Sequence, residues 1–325
     1  MYFPYFRGKQ FELILLREQA EFLATNHQVP IIAPVRSNTK QLEKSINALN
    51  DKNATHIVIM NPSAGEHAND HSTICTLLQS VPTDSSTITG IKLTYDLAEE
   101  QIQDLLNALP TESFALIHAG YQNYAWLQAE LNDRQLTPKF NIFLTNPGRL
   151  YKNAFAMNSV VIRDGFQLMR NRDYPPEEFF SDLHITYGGE GFDHFGDYLT
   201  IGEQYKEGGG PAYAVAIHLT YVNADDENAI WIKHYISDSN FDTSDPANKA
   251  KEALTKLANE YQTQTFQLPH TYALNELLAY RARNHFPGLG MLKKLSMWHH
   301  LQVVASIDVT TPAPPASMGN PHTSA

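Results

Sequence analysis

Short apolar runs alternate along the chain with longer segments whose apolar residues recur at helical spacing. In the segment after residue 36, Leu42, Ile46 and Leu49 fall on one face of a predicted helix. Several of the short runs are continuously apolar, which is typical of parallel strands covered on both faces. The runs predict strands at residues 11–18, 29–35, 55–62, 89–96, 113–120, 140–146, 158–166 and 197–203.

This alternation of strand and helix predicts an α/β fold. Eight parallel strands close a (β/α)8 TIM-like barrel, so we predict that fold, with a doubly wound open sheet as the alternative. The pattern then changes: residues 211–223 and 228–238 predict a β-hairpin, and residues 246–302 predict helices. We expect one domain over residues 1–304, and a disordered tail over residues 305–325, which are rich in Pro, Ser and Thr.

Composition and charge narrow the classes of partner. The 325-residue chain has a formal net charge of −11, so we expect no direct nucleic-acid binding and no membrane association. Cys75 is the only cysteine, which excludes an intramolecular disulfide and a multi-cysteine zinc site. The first residues lack the pattern of a secretion signal, and no apolar run reaches about 18 residues. The sequence therefore predicts a cytoplasmic protein.

Polar side chains end nearly every predicted strand. In a (β/α)8 barrel the active site is built at the carboxyl ends of the strands, so these side chains are the first candidates for a site. Lys92 and Arg163 are the most informative, because an unpaired cation inside a strand needs a carboxylate or an anionic ligand. A structural salt bridge is the alternative for each. The full set of strand-end candidates is Arg17, Glu18, Arg36, Asn61, Lys92, Tyr95, Asp96, His118, Asn146, Arg163, Asp164 and Glu203.

A second group of candidates lies in the segment "SDLHITYGGEGFDHFGD". Carboxylate and imidazole together could ligate a divalent metal, or act as a general base and its orienting partner. A hydrogen-bonded loop network is the alternative. The residues concerned are Asp182, His184, Asp193, His194 and Asp197.

The predicted hairpin carries one histidine on each strand. His218 shares a strand face with small residues that leave room for a ligand, whereas His234 shares one with isoleucines and is predicted to be buried in the core. Before the hairpin, residues 208–211 read Gly-Gly-Gly-Pro, which predicts either a sharp turn or a mobile flap over a site.

Four segments together resemble an uncharacterised bacterial family related to the phage beta-protein family. They are "MYFPYFRGKQFELILLRE", "GFDHFGDYLTIGE", "GGGPAYAVAIHLTY" and "FPGLGMLKKLSMWHH". The resemblance covers residues 1 to about 304 and implies no established activity or catalytic residues. It does imply a gene neighbour of nuclease type, and hence a role in genome defence against phage.

Two functional hypotheses follow. The first is a barrel enzyme, a hydrolase or lyase that acts on a phosphate-bearing or other anionic small molecule, with a nucleotide among the candidates. Its substrate would be bound by Glu18, Arg36, Asn61, Lys92, Arg163 and His218, and its protons moved or metal held by His118, Asp164, Asp182, His184 and Asp197. The alternative is a non-catalytic sensor or scaffold that binds a partner nuclease in a two-gene defence module.

Overall fold

A computed structural model describes residues 1–68, 71–82, 85–110, 113–208, 212–263 and 266–307. Its strands are β1 Tyr5–Phe6, β2 Ile31–Ile32, β3 His56–Ile59, β4 Thr87–Thr94, β5 Phe114–Ala119, β6 Phe140–Phe143, β7 Ser159–Arg163, β8 Glu177–Ser181, β9 His194–Asp197, β10 Ala216–Asn223 and β11 Ala229–Ile236. Its helices are α1 Gln10–Glu18, α2 Ala20–Thr25, α3 Lys40–Asp51, α4 Ser72–Gln79, α5 Glu99–Asn107, α6 Tyr124–Asp133, α7 Arg149–Ala154, α8 Leu183–Thr186, α9 Pro246–Tyr261, α10 Tyr272–Ala282 and α11 Leu289–Ser306.

Within the described residues, eight parallel strands form one sheet in the order β1-β2-β3-β4-β5-β6-β7-β9. The two ends of this sheet meet, because the Phe3 backbone N–H donates to the Phe195 carbonyl at 2.9 Å. Tyr2 also forms parallel bridges to both Gln28 and Phe195. Helices lie between successive strands for most of the circuit, so the predicted (β/α)8 TIM-like barrel is confirmed.

The strands bury both of their faces. An inner cluster fills the barrel with side chains such as Phe3, Ile59 and Ile117, while the alternate positions pack outward against the helices. This double burial explains why the runs are continuously apolar instead of alternating. Gly90 and Gly196 also face inward, since a Cβ on either would press on side chains of the inner cluster.

Two of the predicted strands are wrong. Residues 11–18 form most of α1, and the first strand is the two-residue β1 that precedes it. Periodicity could not separate the two structures, because a short run of five apolar residues fits either a buried strand or a buried helix. Residues 197–203 are not the eighth strand either: β9 ends at Asp197, and Leu199–Ile201 form a 3-10 turn.

The predicted hairpin is confirmed as the antiparallel pair β10 and β11, with His218 directly opposite His234. Strand β8 joins it as a third strand that the sequence did not predict. Its sequence, EEFFS, gives no clear strand signal, because the strand lies at the edge of the sheet and only Phe180 is buried. Helix α11 packs against both β10 and the barrel.

The helices after the hairpin agree with their sequence signals. Helix α9 spans the predicted residues 246–261, and the Asp245 side chain caps it by accepting from the Asn248 N–H at 3.0 Å. None of the helices in the described ranges is both long and apolar enough to cross a bilayer. Two predictions lie outside the described residues: most of the glycine-rich segment (209–211), and the tail beyond residue 307.

Closure of the barrel predicts the behaviour of a Gly196→Ala variant. The added Cβ would overlap the Phe3 carbonyl oxygen across the β1–β9 contact and stand 2.6 Å from Ile162 Cδ1. We expect the free energy of unfolding, measured by urea titration, to fall by more than about 2 kcal/mol. The matched control is Gly189→Ala, whose Cβ has no neighbour nearer than 3.4 Å and which should change stability little. Equal effects of the two variants would contradict closure at this contact.

Candidate functional site

The inward positions at the carboxyl ends of the strands carry polar side chains. Side chains alternate in direction along a strand, so residues two positions after the inward-facing Tyr5, Ile59 and Gly90 also face the barrel axis. These residues are Arg7, Asn61 and Lys92. We call this end of the barrel the barrel mouth. It consists of Tyr5, Arg7, Asn61, Ser63, Lys92, Asp164, Tyr198 and Glu203.

Arg7 is held between two aromatic rings. Its guanidinium carbon lies 5.0 Å from the Tyr5 ring centroid and 5.3 Å from that of Tyr198. One terminal nitrogen donates to the backbone carbonyl of Glu203, while the Nε atom is buried and has no hydrogen-bond partner. The backbone N–H of Arg7 donates to the Glu12 carboxylate at 2.5 Å, which fixes the start of the loop. The guanidinium therefore retains donor capacity that no described protein group uses.

Lys92 is a second cation on the same side of the barrel. Its Nζ donates to the Ser63 hydroxyl at 2.6 Å, and no carboxylate among the described residues forms an ion pair with it. Burial, together with the positive charge of Arg7, lowers the pKa of Lys92 to about 8. The more distant Glu203 carboxylate acts in the opposite direction.

Asn61 holds the strand that carries Lys92. Its side-chain amide accepts from the Lys92 backbone N–H at 2.7 Å and donates to the Lys92 carbonyl at 2.8 Å. Because both hydrogen-bonding functions of the amide go to the backbone of β4, Asn61 positions Lys92 and leaves the ammonium group unpaired.

The remaining groups of the barrel mouth are hydroxyls and carboxylates. The Tyr5 hydroxyl is buried without a hydrogen-bond partner, and burial raises its pKa to about 12, so it stays protonated as a donor. Asp164 accepts from the backbone N–H groups of Phe166 at 3.0 Å and Glu203 at 2.7 Å. Asp164 thus anchors the chain segment that follows β9 over the mouth.

A cleft of about 680 Å³ opens beside the mouth, between the loops that follow β1 and β2 and helix α11. Cationic side chains from three elements line it: Lys9, Arg36 and Lys293. Burial and the charge of Lys293 lower the pKa of Lys9. Glu12 and Glu66 also line the cleft, so its cations lie beside carboxylates.

The segment 203–208 lies across both the mouth and the cleft. Its backbone carbonyls accept from Arg7 and from Lys9, the latter at 2.6 Å from the Lys206 oxygen, and the Glu207 carboxylate lies 3.5 Å from Arg36. The acceptors on this segment thus contact the cationic groups of Arg7, Lys9 and Arg36. The flap predicted from the glycine-rich residues begins here, and its central residues 209–211 lie outside the described ranges.

Several of the predicted site residues meet at this end of the barrel. Four of them belong to the barrel mouth: Asn61, Lys92, Asp164 and Glu203. Arg36 lies in the adjacent cleft, where it pairs with Glu66 at 3.1 Å. The sequence reasoning missed Arg7, Tyr5 and Tyr198. The signal was available, because Arg7 follows Tyr5 by two residues and would have been placed inward had β1 been recognised.

His118 and Arg163 do not reach the mouth, because each is one residue out of phase with the inward positions of its strand. His118 packs in the helical layer, where its Nδ1 lies 2.9 Å from the Tyr151 hydroxyl and its Nε2 lies 3.2 Å from Asn141 Oδ1. Burial lowers the pKa of His118 to about 4. Arg163 points outward and forms a bidentate salt bridge with Glu190. Its Nη2 and Nη1 atoms donate to the two carboxylate oxygens at 2.7 and 3.1 Å.

Glu18 and Asp197 are structural residues outside the mouth. Glu18 lies on helix α1, where it pairs with Lys294 of α11. Asp197 faces outward, accepts from the Tyr2 hydroxyl at 2.6 Å, and lies 3.1 Å from His300 Nε2. Glu18 therefore joins two helices, whereas Asp197 connects a barrel strand to α11.

The candidates from the segment 181–197 are dispersed. His184 Nε2 lies 3.1 Å from the Asn228 carbonyl, Asp182 is exposed at the start of α8, and Asp193 accepts from the Ser159 N–H at 2.9 Å. Nowhere in the described ranges do three or more His, Cys, Asp or Glu side chains come together in a way that could hold a metal ion. His184 and Asp193 each form hydrogen bonds with a separate part of the fold.

His218 also lies away from the mouth. It contacts His234 and lines a separate cavity between the barrel and the three-stranded sheet. His234 is 6% exposed, which confirms its predicted burial.

A Lys92→Met variant tests the unpaired state of this cation. We expect its free energy of unfolding at pH 7 to exceed that of the wild type by about 1–3 kcal/mol, because the variant removes a partly buried charge with a pKa near 8. The folded-state pKa lies below the unfolded value of about 10.5, so wild-type stability rises with pH between the two. The difference in the free energy of unfolding between Lys92→Met and the wild type should therefore shrink when the denaturation is repeated at about pH 9.5.

Lys249→Met is the matched control. Lys249 is 2% exposed, and its Nζ donates to the Asp242 carbonyl at 2.6 Å and lies 3.3 Å from the Asp242 carboxylate. The free energy of unfolding of this variant should fall by about 1–3 kcal/mol, because it removes a buried charged donor that is hydrogen-bonded to Asp242. A loss of stability in Lys92→Met of the same size would show that Lys92 is a structural cation.

Comparison with protein-family models finds no match to the chain, and comparison with curated proteins and with solved structures finds none either. The resemblance to the phage beta-protein family stays a prediction.

Proposed function

We propose that the barrel mouth binds an anionic small molecule and that the protein is an enzyme, a hydrolase or lyase, that acts on it. One observation carries this proposal. Arg7 and Lys92 both face the barrel axis, and no carboxylate among the described residues pairs with either.

Two inward cations without a directly paired carboxylate are unfavourable in the ligand-free protein. Removing a charged side chain from water costs several kcal/mol unless a charge or good hydrogen bonds compensate, and here each cation also disfavours the other. An anion placed between them would relieve both costs. Selectivity for a charged ligand follows, because a neutral ligand would leave the repulsion unchanged.

The donors of the mouth suit a phosphate or carboxylate group. The Arg7 guanidinium offers a planar set of N–H donors, of which Nε is unused, and the Tyr5 hydroxyl is a second unused donor. Lys92 supplies a point charge beside the Ser63 hydroxyl. Three donors that converge on one ligand favour an oxyanion with several oxygens, and hence a phosphate-bearing molecule above a simple carboxylate.

Lys92 is also the group best suited to move a proton. A pKa near 8 leaves a useful fraction of neutral amine at physiological pH, which is the condition for a general base. The amine is positioned by its hydrogen bond to the Ser63 hydroxyl and by the hydrogen bonds of Asn61 to the Lys92 backbone. We assign proton transfer to Lys92, anion binding to Arg7, and anchoring of the covering segment to Asp164. We place this chemistry in the cytoplasm, where a single cysteine stays reduced.

Anion binding can be measured by thermal or chemical denaturation with inorganic phosphate and with pyrophosphate. A ligand at about 100 times its dissociation constant should stabilise the fold by about 2.7 kcal/mol. Arg7→Gln and Lys92→Met should each weaken binding by about tenfold or more, because each removes a charged donor.

Arg163→Gln is the control for anion binding, since Arg163 is a strand-end arginine of the same barrel that points outward into a salt bridge. It should bind phosphate like the wild type. If Arg163→Gln weakens binding as much as Arg7→Gln does, the ligand does not lie in the barrel mouth.

Turnover can be sought with a panel of phosphate monoesters and nucleotides. Where one is a substrate, kcat/KM should rise as the pH passes through about 8, because the neutral amine of Lys92 is the reactive form. A Lys92→Arg variant should retain phosphate binding but lose both the activity and this pH step. A step that persists in Lys92→Arg excludes Lys92 as the base. Phosphate binding without turnover of any compound would support the alternative, a sensor that reports to a partner such as a nuclease.

A further inference from the structure

A second cavity lies where the barrel meets the three-stranded sheet. Its volume is about 220 Å³, and no residue of the barrel mouth lines it. Most of its wall is apolar, with Phe166, Tyr174, Ile201, Val215 and Leu292 contributing. The volume is below the range of about 300–1,000 Å³ that is usual for drug-sized ligands, so only a compact molecule fits.

His218 stands in this wall at the end of a chain of polar contacts. Its Nδ1 lies 2.7 Å from Nδ1 of His234, and Nε2 of His234 lies 3.2 Å from a carboxylate oxygen of Glu178. The second contact has the distance of an ion pair without the angle of a hydrogen bond. The Tyr174 ring stacks on His234 with 4.6 Å between centroids and meets His218 edge-on at 4.8 Å. Both imidazoles are therefore fixed in orientation.

The contacts determine which nitrogens carry protons. Two ring nitrogens 2.7 Å apart share a single hydrogen, so one donates and the other accepts. The Glu178 carboxylate favours the proton on Nε2 of His234, which leaves Nδ1 of His234 as the acceptor. His218 must then donate through Nδ1, and its Nε2 carries a lone pair. Burial lowers the pKa of both histidines, so the pair is neutral.

Thr200 gives an independent sign of a ligand in the same wall. Thr200 is 4% exposed and lines the cavity, yet its Oγ1 is buried and has no hydrogen-bond partner. A buried hydroxyl in a folded protein normally forms a hydrogen bond. A buried hydroxyl beside a cavity that forms none therefore indicates a partner that the chain does not supply. No donor among the described residues reaches Nε2 of His218 either.

We propose that this cavity is a second ligand site, for a small neutral molecule with an apolar body and one hydroxyl group. The hydroxyl donates to His218 Nε2 and accepts from Thr200 Oγ1, while the apolar body fills the space between Phe166, Tyr174 and Leu292. A simple phenol has this shape and chemistry. The proposal is independent of anion binding in the barrel mouth, because the two sites share no group that contacts a ligand.

The test compares p-cresol with toluene, which has nearly the same shape but no hydroxyl. Binding to the full-length protein is followed by ligand-observed NMR and by calorimetry. The wild type should bind p-cresol about tenfold more tightly than toluene, since one satisfied buried polar pair is worth about that factor. Equal binding of the two compounds, or binding of neither, would overturn the proposal.

Thr200→Val is the decisive variant. It keeps the side-chain shape and removes a hydroxyl that has no protein partner, so it should fold at least as stably as the wild type. It should also reduce the preference for p-cresol by several-fold while toluene binding is unchanged. If the preference survives in Thr200→Val, the assignment of this hydroxyl is wrong.

Two further variants locate the site. His218→Phe should abolish the remaining preference for p-cresol, provided that its unfolding transition shows that it folds. Ala216→Phe should block both compounds, because Ala216 lines the cavity and a phenyl ring would fill it. Undiminished binding of p-cresol in Ala216→Phe would place the ligand elsewhere and overturn the proposal.

Discussion

The contact between the residues that precede β1 and strand β9 is the constraint on which the rest of the structure depends. It brings the first residues of the chain beside residues almost two hundred positions later, and it turns a twisted parallel sheet into a barrel. Gly196 makes the approach sterically feasible. On the outside, the Tyr2 hydroxyl, Asp197 and His300 form a buried polar cluster over this contact, and His300 also contacts Thr220 of the added sheet. Closure, helix α11 and the three-stranded sheet are thus stabilised together.

Closure also creates the electrostatic character of the mouth. Arg7 lies on the first strand of the circuit and Lys92 on the fourth, so only a closed circuit makes their side chains face one axis. The aromatic faces of Tyr5 and Tyr198 stabilise the guanidinium without neutralising it, and neutral carbonyl and hydroxyl acceptors hold both cations in place. The positive potential is therefore preserved for a ligand, in contrast to Arg163, whose charge is neutralised by Glu190.

The fold could be predicted from the sequence, but the site could be predicted only in part. One physical reason explains the difference. Continuous apolar runs reveal that a strand is buried on both faces, but they do not show which residues face inward. Successive side chains of a strand point to opposite faces of the sheet. An error of one position therefore moves a predicted side chain from the barrel axis to the helical layer. Lys92 and Asp164 were placed correctly, while His118 and Arg163, equally close to their strand ends, point outward. Arg7 was missed because a two-residue strand carries too little periodicity to be recognised.

Helix α11 borders both the cleft beside the barrel mouth and the cavity at His218. Lys293 lines both the cationic cleft and the cavity at His218, and Leu292 forms part of the cavity wall. The positive charge of Lys293 helps to keep His218 neutral, and it also opposes any cationic ligand in the cavity. One side chain therefore favours an anion on one side and a neutral molecule on the other. Any energetic coupling between the cleft and the cavity must act in both directions. Lys293 on α11 borders both spaces.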